Sequence, residues 1–180
     1  KDVRLGRILE RVSGKAFFVT IDHPITRGVM AGLEDVRAAL ARIVEGRPDA
    51  ITMHKGIARE FYRPYAGLIP FSLKATSFAP YHPTYDTVVA DVEEALRLGA
   101  DAISVGALVG SGRQDEMLAT LGRFAKEADR AGLPLIAHIY PKGELIKEEE
   151  RYSATHMAYA GRAGVELGVD VVKTWYTGSP

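Results

Sequence analysis

The sequence predicts an α/β protein of the (β/α)8 TIM-barrel class, of which this chain supplies about six βα units. Three observations carry that expectation. An amphipathic stretch ends at a glycine four times, and a β-branched run begins two or three residues later: "EGRPDAITM", "LGADAISV", "AGLPLIAHIY" and "LGVDVVKTW". The runs are almost continuously apolar, which is the pattern of parallel strands covered on both faces. Polar residues then recur near the strand ends. Aligning the junctions by their aspartates puts Thr52, Ser104 and Lys173 at one depth in three strands, as expected where a barrel builds its site at the C-terminal mouth. A doubly wound sheet would gather such groups near one switch point. The nucleotide loop that would support that alternative is missing, since "GALVGSG" lacks GxGxxG spacing and "SGK" lacks the rest of a P-loop.

Taken in order, strands are predicted at 16–22 ("AFFVTID"), 49–54 ("DAITMH"), 68–73 ("LIPFSL"), 101–106 ("DAISVG"), 134–140 ("PLIAHIY") and 170–175 ("DVVKTW"). Helices are predicted at about 32–45, 87–98, 114–131 and 152–167, from apolar residues at helical spacing such as Val88, Val92, Ala95 and Leu96. Each glycine suits the left-handed residue after a helix, and the Asp or Pro behind it opens the next strand. The stretch "FYRPYAGLIPFSLKATSFAPYHPTYD" reads as a long loop, the third strand, and another loop over the mouth. The run "KGELIKEEERYS" reads as a solvated loop and helix start. A full barrel takes eight strands and typically about 250 residues. The expectation is therefore a single domain over 1–180 whose last two strands are missing.

Composition narrows the function classes. The 180 residues are 47% hydrophobic, enough to close one core. Lys+Arg and Asp+Glu balance at 23 each, so there is no broad basic field for nucleic acid. No run approaches the roughly 18 apolar residues of a membrane span. There is no cysteine, which removes disulfides and thiol chemistry and fits a cytoplasmic protein. The histidines at 23, 54, 82, 138 and 156 show no HxH or HxxxH pair, so no metal site is expected.

The chemistry gathers at three strand ends. In "DVVKTW" alternate side chains share a face, so Val171, Lys173 and Trp175 point one way. An inward lysine is partly dehydrated, which lowers its pKa and frees an amine able to form a Schiff base with a carbonyl compound. By the same parity Phe18, Thr20 and Asp22 share a face, as do Ile136, His138 and Tyr140. An amine, a carboxylate and a phenol that converge would supply what imine chemistry needs. Each residue also has a plain explanation: the lysine snorkels to solvent, Asp22 caps the next turn, Tyr140 is a rim aromatic, and His23 is a turn histidine.

The motifs "DHP…G" at 22–28, "HKGI" at 54–57, "IYPKG" at 139–143 and "VVKTWYTG" at 171–178 resemble those of archaeal-type class I fructose-bisphosphate aldolases. They are most similar to the 2-amino-3,7-dideoxy-D-threo-hept-6-ulosonate synthase branch. The resemblance spans essentially the whole chain. It implies that Lys173 is the Schiff-base lysine, Tyr140 the proton donor or acceptor at the imine, and Asp22 the partner carboxylate. It further implies that His23, His54, His138 and Trp175 bind substrate, that no cofactor is needed, and that the protein forms a homo-oligomer such as a decamer. The implied substrate is a phosphorylated sugar or keto compound. Pro24, His138 and Trp175 depart from the family pattern and are expected to shape the pocket. The alternatives left open are a fructose 1,6-bisphosphate aldolase proper, a thiolase-like relative acting on a phosphorylated dione, and a non-catalytic barrel scaffold.

Overall fold

The computed structural model describes residues 1–10 and 12–178. Its centre is a sheet of six parallel strands: β1 (Phe18–Thr20), β2 (Ala50–Met53), β3 (Phe71–Lys74), β6 (Ala102–Val109), β7 (Leu135–Pro141) and β8 (Val171–Lys173). They lie side by side in the order β1-β2-β3-β6-β7-β8, so each strand pairs with the next of the six along the chain. Between β3 and β6 the chain inserts an antiparallel hairpin, β4 (Thr76–Ala79) and β5 (His82–Val88). The parallel sheet is the barrel wall predicted from the sequence.

The two faces of this wall differ in chemistry. One face carries Ile51, Met53, Phe71, Leu73, Ile103, Val105, Ala137 and Ile139, all buried under the helices. Those helices are α3 (Val36–Glu45), α4 (Lys55–Phe61), α5 (Val92–Arg97), α6 (Gln114–Arg130) and α7 (Ala154–Glu166). The opposite face carries Thr52, Ser72, Lys74, Ser104 and His138, buried and polar. Strand alternation thus sorts apolar residues outward to the helices and polar ones into the barrel interior.

The floor of the barrel is closed by α1 (Asp2–Ile8), which the sequence reading does not anticipate. Ile8 is fully buried against Ala50, Ala102 and Ile136, with Leu5, Phe18 and Val171 around them. Ion pairs hold the helix there, Arg7 to Asp101 at 3.0 Å and Lys1 to Asp170 at 3.2 Å. The junction aspartates tie neighbouring strands together: Asp49 accepts from the Phe17 N–H at 2.6 Å and Asp170 from the Leu135 N–H at 2.8 Å. Three junction glycines, Gly99, Gly132 and Gly168, have positive φ as expected. At the first junction Gly46 stays right-handed and Arg47 takes the positive φ of 47° instead. Pro48 disfavours the helical region for the residue before it, so the chain turns there.

Three predicted segments need correction. The loop expected after the third strand is the β4–β5 hairpin, built from β-forming Thr, Phe, Tyr and Val residues with Pro80 at its tip. Because that hairpin claims Thr87 and Val88, the helix predicted over 87–98 starts only at Val92. The Val89 and Ala90 N–H groups bond the Ala75 carbonyl, and Asp91 caps the shortened helix by accepting from the Glu94 N–H at 2.7 Å. The residues before β3 are also more regular than predicted, forming α4 and a 3-10 turn at Arg63–Tyr65. No helix among the described residues is long and apolar enough to cross a membrane.

Candidate active site

The strand register sets where each inward side chain sits. Thr20, Thr52, Ser72 and Ala102 form the lowest row. Lys74, Ser104, Ile136 and Val171 form the next, and Gly106, His138 and Lys173 the one above. Thr52, Ser104 and Lys173 therefore share a face but not a depth, contrary to the alignment of junction aspartates. The stagger of a barrel raises each later strand relative to the first, and sequence spacing alone does not reveal it.

Above these rows lies a cavity of about 270 Å³ whose walls include Asp22, His23, His138, Tyr140, Lys173 and Trp175. Six of the seven residues expected to act there are thus brought together. His54 is the exception. It caps the N-terminus of α4, its Nδ1 bonds the Lys74 carbonyl at 3.0 Å, and it lines a neighbouring cavity of about 810 Å³ between α3, α4 and α5. That larger cavity is mostly apolar and contains none of Lys173, Tyr140 and Asp22, so the smaller one is the candidate site.

Asp22 follows β1 and precedes the short helix α2 (His23–Arg27). Its carboxylate stands 3.9 Å from the His23 ring. Tyr140 comes from the end of β7 and stacks on Trp175, with ring centroids 5.0 Å apart and planes 29° from parallel. Burial, with Asp22 and Asp86 adding negative charge nearby, pushes the Tyr140 hydroxyl up to about 12. It is a phenol, not a phenolate, at any physiological pH. His138 is buried, and burial followed by the charges of Lys74 and Lys173 holds it well below the usual histidine range, hence neutral.

Lys173 is more open to solvent than a strand covered on both faces implies. The reason is topological: among the described residues β8 pairs on one side only, with β7. Even so, the protein around the amine lowers its pKa, with burial the largest cause, Lys74 acting the same way and Asp22 opposing.

Two residues of the site escape the sequence reading. Lys74, at the end of β3, is buried and donates to Thr76 Oγ1 at 2.9 Å. Asp86, carried in by β5, is also buried, with Oδ2 3.8 Å from Lys74 Nζ and Oδ1 without a hydrogen-bond partner among the described residues. The available signal was the lysine itself, a cation closing a buried strand just as Lys173 does, but the predicted strand stopped at Leu73. Asp86 lay in a segment read as loop. Counting Arg27 and Lys142, the cavity has four cations against two carboxylates, Asp22 and Asp86.

Residues 16–179 match the sequence profile of DeoC/LacD family aldolases. The chain belongs to this family. Among relatives of this chain, the 2-amino-3,7-dideoxy-D-threo-hept-6-ulosonate synthase of Halobacterium salinarum is 33% identical, over 99% of this chain and 66% of its own length. The 2-amino-4,5-dihydroxy-6-oxo-7-(phosphonooxy)heptanoate synthase of Streptomyces griseus is 34% identical, over 99% of this chain and 65% of its own length. The chain thus spans just under two thirds of these relatives. A solved structure of a Schiff-base-forming fructose-1,6-bisphosphate aldolase superposes with a TM-score of 0.87 at 29% identity, covering 99% of this chain and 72% of that one. An archaeal fructose-1,6-bisphosphate aldolase, solved with its catalytic lysine bound to the carbinolamine intermediate, gives 0.85 at 28% identity, covering 99% and 71%. The six-stranded wall of this family member therefore matches the wall of the TIM-barrel aldolases.

Proposed function

We propose that the protein is a class I aldolase, a lyase or aldol-type transferase that makes or breaks a C–C bond in a phosphorylated sugar or keto compound through an imine on Lys173. The observation that carries this reading is the meeting of Lys173, Tyr140 and Asp22 in one cavity at the C-terminal ends of the strands, where barrel enzymes place their chemistry.

The residues suit the steps. The unprotonated Lys173 amine adds to a ketone carbonyl to give a carbinolamine, and Tyr140, protonated at working pH, donates to the departing hydroxyl so that water leaves and the imine forms. In the cleavage direction Asp22 takes the proton of the hydroxyl on the bond to be broken. The electron pair of that C–C bond moves into the imine as an enamine, and an aldehyde departs. The enamine carbon is then reprotonated, and water hydrolyses the imine to free the amine and the second product. Synthesis runs the same steps backwards. Neutral His138 lines the wall beside Lys173 without adding a competing charge. The surplus of cations around the cavity suits an anionic, phosphorylated substrate.

The higher identity to the two synthases than to the solved aldolases favours the heptulosonate synthase branch over fructose 1,6-bisphosphate cleavage. The names of these relatives supply the substrate class, not a substrate for this chain. A cytoplasmic homo-oligomer completes the proposal, supported by the cysteine-free sequence and the family resemblance. The test is turnover of phosphorylated ketoses by the protein and by its Lys173→Arg variant, since a guanidinium stays protonated and cannot attack a carbonyl. Activity that survives the exchange would remove the imine.

A further inference from the structure

The proposed chemistry takes its proton from Tyr140, and the ring that stacks on Tyr140 is held in an unusual way. β8 ends at Lys173, two residues before Trp175, so side-chain contacts rather than a backbone ladder place the indole. Trp175 touches two rings: Tyr140, with centroids 5.0 Å apart and planes 29° from parallel, and Tyr152, at 4.9 Å and 38°. Both separations lie in the range of attractive aromatic pairs. One residue earlier, Thr174 Oγ1 donates to Met157 Sδ at 3.3 Å, which ties this stretch of chain to α7.

Tyr152 comes from the run "KGELIKEEERYS", whose sequence reads as a solvated loop and helix start. Both ends of that run are fixed. Glu144 accepts from the Gly112 N–H at 2.8 Å and from Thr84 Oγ1 at 2.6 Å, and Ser153 caps α7 by accepting from the His156 N–H at 3.3 Å. The loop so anchored carries a half-exposed ring to Trp175. The walls of the candidate site include Tyr140 and Trp175 but not Tyr152. Proton delivery needs the phenol oxygen within about 2.6–3.2 Å of the group that receives the proton, and a 1 Å misplacement costs about 100-fold. Near the end of β7, the Tyr140 phenol turns on its side-chain torsions unless neighbouring groups hold it.

Resting on the aldolase reading, we infer that Trp175 and Tyr152 are positioning residues for Tyr140, a ring stack that holds the phenol where it meets the carbinolamine hydroxyl. In that step the phenol proton passes to the hydroxyl, water leaves, and the nitrogen electron pair closes the C=N bond, giving an iminium and a phenolate. Tyr152 has no contact with the substrate and acts through Trp175.

Tyr152 is the residue to change, because Trp175 also lines the cavity and its loss would disturb the substrate directly. The test follows borohydride-trapped imine on Lys173 with dihydroxyacetone phosphate, read as a saturated rate and a half-saturating concentration. Tyr152→Ala should lower the saturated rate about 3-fold to 10-fold, the scale of one aromatic pair, and leave the half-saturating concentration unchanged. Tyr152→Phe keeps the ring and should rescue the rate. In the Tyr140→Phe background, Tyr152→Ala should cost nothing more, since the proton that the stack places is already gone. A parental rate in Tyr152→Ala overturns the inference. So does a change confined to half-saturation, a Tyr152→Phe protein as slow as Tyr152→Ala, or the same fold loss with and without the Tyr140 hydroxyl. Failure to trap any imine on Lys173 in the unaltered protein overturns the aldolase reading, and the positioning role with it. Trapping that Tyr152→Ala leaves untouched overturns the positioning role alone.

Discussion

Lys173 and Lys74 both close a β-strand with a cation, and the difference between them is electrostatic. Lys74 has a carboxylate at 3.8 Å and a hydroxyl at 2.9 Å. Lys173 is left to burial, with the attraction of Asp22 opposing it and the like charge of Lys74 adding to it, and its pKa falls. Only the unprotonated amine attacks a carbonyl, so imine formation rises with pH through this pKa. Lys74→Met removes the like charge, and the acid limb of imine formation should move to higher pH. Asp22→Asn removes the attraction, and the limb should move to lower pH. Rates of borohydride-trapped imine formation across pH check both, and shifts in the same direction would contradict this account. The triad of amine, phenol and carboxylate was legible in the sequence because alternation within three strands fixes which side chains share a face. Lys74 and Asp86 were not, because their meeting depends on the fold of the hairpin.

The elements divide in the same way. The parallel strands and the two long helices, α6 and α7, declare themselves by unbroken apolar runs and helical periodicity, and the structure has them where the sequence predicts. The hairpin and α1 are short and half polar, and only their contacts with the sheet make them regular. Each supports a prediction of its own. Gly106→Ala would drive a methyl group into Asp86 Oδ2 and push the hairpin from the wall. The expected cost is about 1–3 kcal/mol of stability, read by denaturant unfolding, and stability equal to that of the parent would contradict the close packing. Ile8→Ala would open a cavity in the barrel floor among Ala50, Ala102 and Ile136. About 2–5 kcal/mol should be lost, and a change under 1 kcal/mol would mean that the helix does not seal the floor.

At the scale of the whole molecule, the fold keeps two histidines neutral, His138 in the candidate site and His54 in the neighbouring cavity. Burial is the main cause for both His54 and His138, with Lys74 acting on each. The unfolded chain protonates these rings below about pH 6.5, whereas the folded protein resists. Stability should therefore be full above that value and fall as pH drops through it towards the lowered native values. Thermal unfolding from pH 7 to pH 5 should show a falling Tm, with a smaller fall in His138→Asn; a flat profile would mean that the site tolerates charged histidines. The same burial that keeps the histidines uncharged lowers the Lys173 pKa, and a lowered pKa is what the proposed chemistry requires. The most direct measurement is borohydride reduction of the protein with dihydroxyacetone phosphate, followed by peptide mapping. The account predicts one stable adduct on the peptide containing Lys173, absent in Lys173→Ala, whereas an adduct on another lysine, or none, would contradict it.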